Sequence, residues 1–145
     1  MEKKISTGVI LFAWLYLLSG LGCIAGIIVL KSKLAAYPGL YPSSYYYVAQ
    51  FHNVIGSILY LVAGIGLLKL LKWARMFTIV INILFSIFSS ITFFIYTRPY
   101  LIPYFMRLNR NKSALLTNIG QIMVYAWLLL VIYYFTRPKV KEQFK

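Results

Sequence analysis

The residues best suited to acid–base, nucleophilic or metal chemistry are the single histidine, His52, and the single cysteine, Cys23. Asp is absent, and the only acidic residues are Glu2 and Glu142, near the two ends of the chain. A metal site needs several His, Cys or carboxylate ligands, and a nucleophile beside His52 would lack an acid to orient the imidazole. We therefore expect no catalytic residue, no metal and no cofactor.

Polar side chains recur inside long apolar segments. Asn82 and Ser86 are four residues apart, and Asn118 and Gln121 are three apart, so each pair falls on one face of a helix. In hydrocarbon such a face must meet protein or a wet cavity. The pattern predicts hydrogen bonds between helices or, alternatively, an intramembrane polar pocket. The candidate pocket residues are His52, Asn53, Asn82, Ser86, Asn118 and Gln121.

Small residues form a stripe in the first apolar segment. Ser19, Gly22 and Gly26 lie on one side of a helix, and Gly22 and Gly26 have the GxxxG spacing. Small residues let two membrane helices approach closely. The stripe predicts packing within the chain or, alternatively, the contact surface of a homo-oligomer.

Basic and aromatic residues cluster between the apolar segments. Lys69, Lys72 and Arg75 surround Trp73 and have no acidic neighbour in sequence, which suits the phosphates of anionic lipids. Tyrosine faces and guanidinium groups in the two longer loops form a second candidate surface for an anionic headgroup or a protein partner. Its residues are Tyr45, Tyr46, Tyr100, Tyr104, Arg98, Arg107 and Arg110.

The elements that must position these residues are membrane helices. The chain has 145 residues and is 61% hydrophobic with a mean hydropathy of +0.78, whereas soluble domains are about 45–50% apolar. A bilayer-spanning helix needs about 20 apolar residues, and four segments meet this length. They are residues 7–30, 48–71, 74–96 and 114–135. We predict an all-α integral membrane bundle of four helices, folded as a single domain over residues 1–145.

The formal net charge of +13 is mainly a topology signal. The cations stand singly or in pairs between apolar segments, so they do not form a nucleic-acid-binding stripe. The two termini and the second turn carry nine Lys and Arg residues, against six in the other two loops. By the positive-inside rule both termini are predicted to lie in the cytoplasm, in a multi-pass protein of the cell membrane. The first apolar segment is longer than a signal-peptide core, so we expect it to stay uncleaved.

The stretch from Gly64 to Arg75, with the sequence GIGLLKLLKWAR, carries the one family resemblance. It resembles the hairpin between helices of small prokaryotic four-helix membrane proteins of uncharacterised function. That resemblance implies the four-helix fold and no activity. The sequence does not fit the familiar four-span enzymes. Glutathione- and leukotriene-type membrane transferases would need an acidic residue in a span, and vitamin K-type thiol enzymes would need a cysteine pair, and neither is present.

These features favour a non-enzymatic membrane module. It would contact anionic lipid or a larger membrane partner, and it could form a homo-oligomer. The first alternative is a small channel or carrier with a polar path between the third and fourth helices. The second alternative is a lipid-acting membrane enzyme that uses His52.

Overall fold

The computed structural model describes the backbone of residues 5–36, 43–95 and 112–144, and the side chains of residues 5–32, 44–95 and 119–144. These residues form helices and no strand. The helices are α1 (Thr7–Ala36), α2 (Ser43–Leu68), α3 (Lys72–Thr92), α4 (Lys112–Thr136) and the short α5 (Pro138–Gln143). The first four are long and apolar enough to cross a membrane, which confirms the all-α class with four candidate spans.

The helix bounds differ from the hydropathy limits. α1 continues six residues beyond Leu30 to Ala36, and α2 begins five residues before Val48, at Ser43. Tyr45 and Tyr46, which were expected in a loop, therefore lie in the first turns of α2. The reason is that hydropathy marks where a helix leaves the hydrocarbon, whereas backbone hydrogen bonds within the helix continue into the interface.

The described residues divide into two compact units. Unit 1 comprises those of Met1–Thr78 together with Pro138–Lys145, and unit 2 comprises those of Ile79–Arg137. The core of unit 1 is the antiparallel contact between α1 and α2. Its fully buried side chains are Val9, Ala13, Ala63 and Leu67, with Phe12 and Tyr16 nearly so.

Two glycines set the distance between α1 and α2. A Cβ added to Gly64 would stand 2.9 Å from the backbone oxygen of Ala13 and 2.8 Å from Cγ of Leu17. A Cβ added to Gly20 would stand 2.7 Å from Cγ of Leu61. Each helix thus places a leucine over the glycine of the other helix. Lipid provides no hydrophobic drive that would bring membrane helices together, so close packing of this kind is what stabilises their contact.

The turn between α2 and α3 is a Schellman motif. The N–H of Leu71 donates to the carbonyl of Gly66 at 3.0 Å, and the N–H of Leu70 donates to that of Leu67 at 3.0 Å. Leu70 has a φ of 50°, in the left-handed region that glycine usually fills at this position. The connection between α2 and α3 is therefore only three residues long, Lys69 to Leu71.

We expect Leu70→Gly to raise the free energy of unfolding by about 0.5–1 kcal/mol, because glycine adopts positive φ without the steric cost that leucine has. Thermal unfolding in detergent, followed by circular dichroism, measures the change. The matched control is the neighbouring substitution Leu71→Gly, which removes a similar side chain where φ is not positive. Equal destabilisation by both variants would show that the side chain of Leu70 matters more than its backbone conformation.

The two ends of unit 1 meet at the start of α1. The backbone N–H of Ser6 donates to Oε1 of Gln143 at 3.1 Å, and the N–H of Val9 lies 3.5 Å from the Ser6 hydroxyl oxygen. Ser6 thus occupies the N-cap position, and Gln143 supplies the acceptor that a capping box would take from the third helical residue. Val140 and Phe144 of the same C-terminal segment are buried.

Candidate functional site

Asn82 and Trp127 join α3 to α4 in unit 2. The indole N–H of Trp127 donates to Oδ1 of Asn82 at 3.1 Å. Asn82 is only 5% exposed. The bond satisfies a polar donor that would be costly to leave unpaired in an apolar environment.

A second polar cluster lies farther along α3, at Ser90. The Ser90 hydroxyl donates to the backbone carbonyl of Ser86 at 2.7 Å and lies 2.7 Å from the Tyr125 hydroxyl. Because the single Ser90 hydrogen is used by Ser86, Tyr125 acts as donor to Ser90. The side-chain N–H of Gln121 also donates to Ser90, at 3.2 Å, and the Ser89 hydroxyl lies 3.5 Å from Oε1 of Gln121.

The predicted polar faces of the third and fourth helices therefore meet. The faces bearing Asn82 and Ser86 on α3 and Gln121 on α4 lie within this set of contacts, and Ser86 is buried. The side chain of Asn118 lies outside the described residues. Trp127 was missed by the sequence argument, although a Trp within a span is a signal, because its N–H needs an acceptor when buried.

His52 and Asn53, the other predicted pocket residues, belong to α2 in unit 1. Both are half-buried. Nδ2 of Asn53 lies 3.1 Å from the place of a Cβ on Gly26, so this glycine makes room for the amide. Among the described residues, no three His, Cys, Asp or Glu side chains come together as a metal ion would require.

The predicted small-residue stripe is only partly at the contact between α1 and α2. Gly26 meets Asn53, whereas a Cβ on Gly22 would have no described neighbour within 4 Å. Ser19 is exposed, and its hydroxyl donates to the carbonyl of Leu15 at 2.8 Å. Among the described glycines of this contact, Gly20 and Gly64 have the least room for a Cβ. A seven-residue spacing of small residues, Ala13 to Gly20 and Ser57 to Gly64, is the sequence signal that could have found them.

Two lysines and a tryptophan of the α2–α3 turn are exposed. Lys69 and Lys72 are exposed, Arg75 is half-buried, and Trp73 is 47% exposed. The Trp73 ring packs edge-on against Phe77 with centroids 5.4 Å apart, and its far edge covers Gly66. The turn thus presents two lysines beside an indole on one short segment.

Only part of the second basic and aromatic surface falls within the described residues. Tyr45 and Tyr46 are half-buried in α2, and the ring of Tyr46 packs edge-on against Tyr47. Five of its predicted members lie outside the described residues. They are Arg98, Arg107, Arg110, Tyr100 and Tyr104.

No protein-family model, curated protein or solved structure matches this chain. The described polar groups differ between the two units. In unit 2 these are hydroxyls, amides and an indole that hydrogen-bond to one another. In unit 1 the groups best placed to meet another molecule are the cations and indole of the α2–α3 turn.

Proposed function

We propose that the protein is a non-enzymatic, multi-pass protein of the cell membrane that contacts anionic lipid through the α2–α3 turn. The observation that carries the proposal is the joint exposure of Lys69, Lys72 and Trp73 where two apolar helices meet. Lysines next to a membrane helix attract anionic headgroups, and an indole is favoured at headgroup level. The excess of cations at this turn and at the termini supports a cytoplasmic position for both the turn and the termini.

The turn geometry supports this proposal. The Schellman bonds at Leu70 and Leu71 hold the backbone between the two lysines, so their side chains leave the same short segment. The methylene stems can lie along the apolar helix ends while the ammonium groups reach the phosphates. Among the described residues the only acid is Glu142, so few carboxylates compete with lipid phosphate for these lysines.

Neutralising the turn tests the proposal. We expect Lys69→Gln with Lys72→Gln to weaken the binding of phosphatidylglycerol to the detergent-solubilised protein by roughly fivefold per removed charge. The measurement is the lipid concentration that gives half of the maximal shift in unfolding temperature, with phosphatidylcholine of the same acyl chains as the neutral reference. Lys31→Gln, at the other end of α1, is the matched control and should keep the wild-type value. Equal responses to the two lipids in the wild-type protein would overturn the proposal.

The other functions stay predictions. A channel between α3 and α4 requires water at Asn82 and Gln121, whereas the burial of Asn82 and its bond to Trp127 favour a packing role. An enzyme using His52 requires convergent polar groups around the imidazole. The outward position of Ser19 and Gly22 leaves that face of α1 for a second copy or for lipid.

A further inference from the structure

We propose that α5 is the second half of the anionic-lipid surface. In this proposal Lys139 and Lys141 bind phosphates of the same leaflet as Lys69 and Lys72, and the bond between Gln143 and Ser6 holds α5 in place. The inference rests on the proposed function and adds to it a binding element and the contact that assembles it.

The side chains of the C-terminal segment are divided between core and solvent. Val140 and Phe144, four residues apart, are 5% and 4% exposed. Lys139, Lys141 and Glu142 are exposed. The segment is therefore anchored by its apolar side, and its lysines are presented outward from a fixed backbone.

The register of unit 1 brings α5 level with the α2–α3 turn. Ala13 on α1 meets Gly64 on α2, and the two helices run antiparallel, since Gly26 meets Asn53. Ser6, which bonds to Gln143, lies seven residues before Ala13, or about 10 Å along α1 at 1.5 Å per residue. Lys69 lies five residues beyond Gly64, or about 8 Å along the same direction, and Lys72 follows it directly across the turn.

The charge of this layer favours a lipid partner. Five cations, Lys69, Lys72, Arg75, Lys139 and Lys141, stand against one acid, Glu142, among its described residues. Apolar groups stand beside the cations, because Trp73 and Leu71 are also exposed. A ligand that meets both must offer phosphate next to hydrocarbon, and an anionic phospholipid does so. A layer of cations perpendicular to the helix axes also matches the plane of headgroup phosphates in one leaflet.

Gln143→Ala is the sharpest test because it leaves the net charge unchanged. It removes the acceptor that Ser6 uses, so α5 is held less firmly and its lysines contribute less. We expect the half-saturating concentration of phosphatidylglycerol to rise by up to about fivefold, the factor that one ordinary hydrogen bond provides. The neighbouring Glu142→Gln keeps the bond and should bind phosphatidylglycerol at least as well as the wild type.

The companion variant is Lys139→Gln with Lys141→Gln, for which roughly a fivefold loss per charge is expected. All variants are measured as the full chain in the same detergent, and unfolding without lipid is recorded so that a folding defect is recognised separately. If the variants at positions 69 and 72 lose phosphatidylglycerol binding while those at 139, 141 and 143 do not, this inference is overturned and the proposed function stands. If neither set changes binding, both fail.

Discussion

Gly64→Ala is expected to lower the free energy of unfolding by about 1–3 kcal/mol, the usual cost of overfilling a packed contact. The added methyl group would stand 2.9 Å from the backbone oxygen of Ala13. Backbone cannot rotate away as a side chain can, so α1 and α2 must separate. Separation also weakens the contact of Gly20 with Leu61, because both glycines belong to the same helix crossing.

Unfolding of the detergent-solubilised protein by increasing sodium dodecyl sulfate, followed by circular dichroism, measures this loss. Gly22→Ala is the matched control, since it adds the same methyl group to α1 where no described atom lies within 4 Å. It should be neutral, or stabilising by up to about 1 kcal/mol through helix propensity. A Gly64→Ala protein as stable as Gly22→Ala would contradict the close crossing of α1 and α2.

Gly20→Ala should fall between these two variants. Its methyl group would meet Leu61, a side chain that can change rotamer, and would approach the backbone oxygen of Ser57 at 3.1 Å. The order of stability, with Gly22→Ala highest and Gly64→Ala lowest, is a stricter result than any one value. This order is expected because the Leu61 side chain beside Gly20 can change rotamer, whereas the backbone oxygen of Ala13 beside Gly64 cannot move away.

Asn82→Leu is expected to destabilise the protein by about 1–2 kcal/mol, because the Trp127 N–H loses its acceptor in an apolar environment. Trp127→Phe removes the donor instead and leaves Oδ1 of Asn82 without it. In the double variant neither group remains, so its loss should be smaller than the sum of the two single losses. Interhelical hydrogen bonds in membrane proteins suggest a coupling of roughly 0.6–1.7 kcal/mol.

The same detergent unfolding experiment applied to the four proteins of this double-mutant cycle gives the coupling. Ser89→Ala is the control on α3, because the Ser89 hydroxyl is 3.5 Å from Gln121, at the limit of a hydrogen bond. It should change stability by less than either single variant. Strict additivity of Asn82→Leu and Trp127→Phe would mean that the 3.1 Å contact contributes nothing to stability.

The helices were predictable from composition and spacing. A membrane helix satisfies its own backbone hydrogen bonds, so an apolar segment of about 20 residues is enough to predict one. The spacing of Asn82, Ser86 and Gln121 likewise indicated which faces of α3 and α4 bear polar groups. The break between the second and third segments followed because one helix through both would be too long for a single crossing.

The partners of individual residues were not predictable in the same way. Ser19, Gly22, Gly26, Gly20 and Gly64 are all small residues within apolar segments. Among the glycines of this set, only Gly20 and Gly64 meet a leucine of the neighbouring helix. Trp127 received no role because its acceptor, Asn82, is 45 residues away in the chain. The contact of Gln143 with Ser6 joins residues 137 positions apart.

The sequence by itself determined the four apolar helices, a short connection between the second and third of them, and the scarcity of acids that leaves most of its cations without a carboxylate partner. These are local properties, set by hydropathy, helix periodicity and charge. The tertiary structure alone decided which side of α1 packs on α2, which polar side chains pair in unit 2, and that α5 returns to the start of α1. A helix such as α1 is apolar on every side, so hydropathy does not distinguish its buried face from its lipid face, and close fit of side chains decides between them.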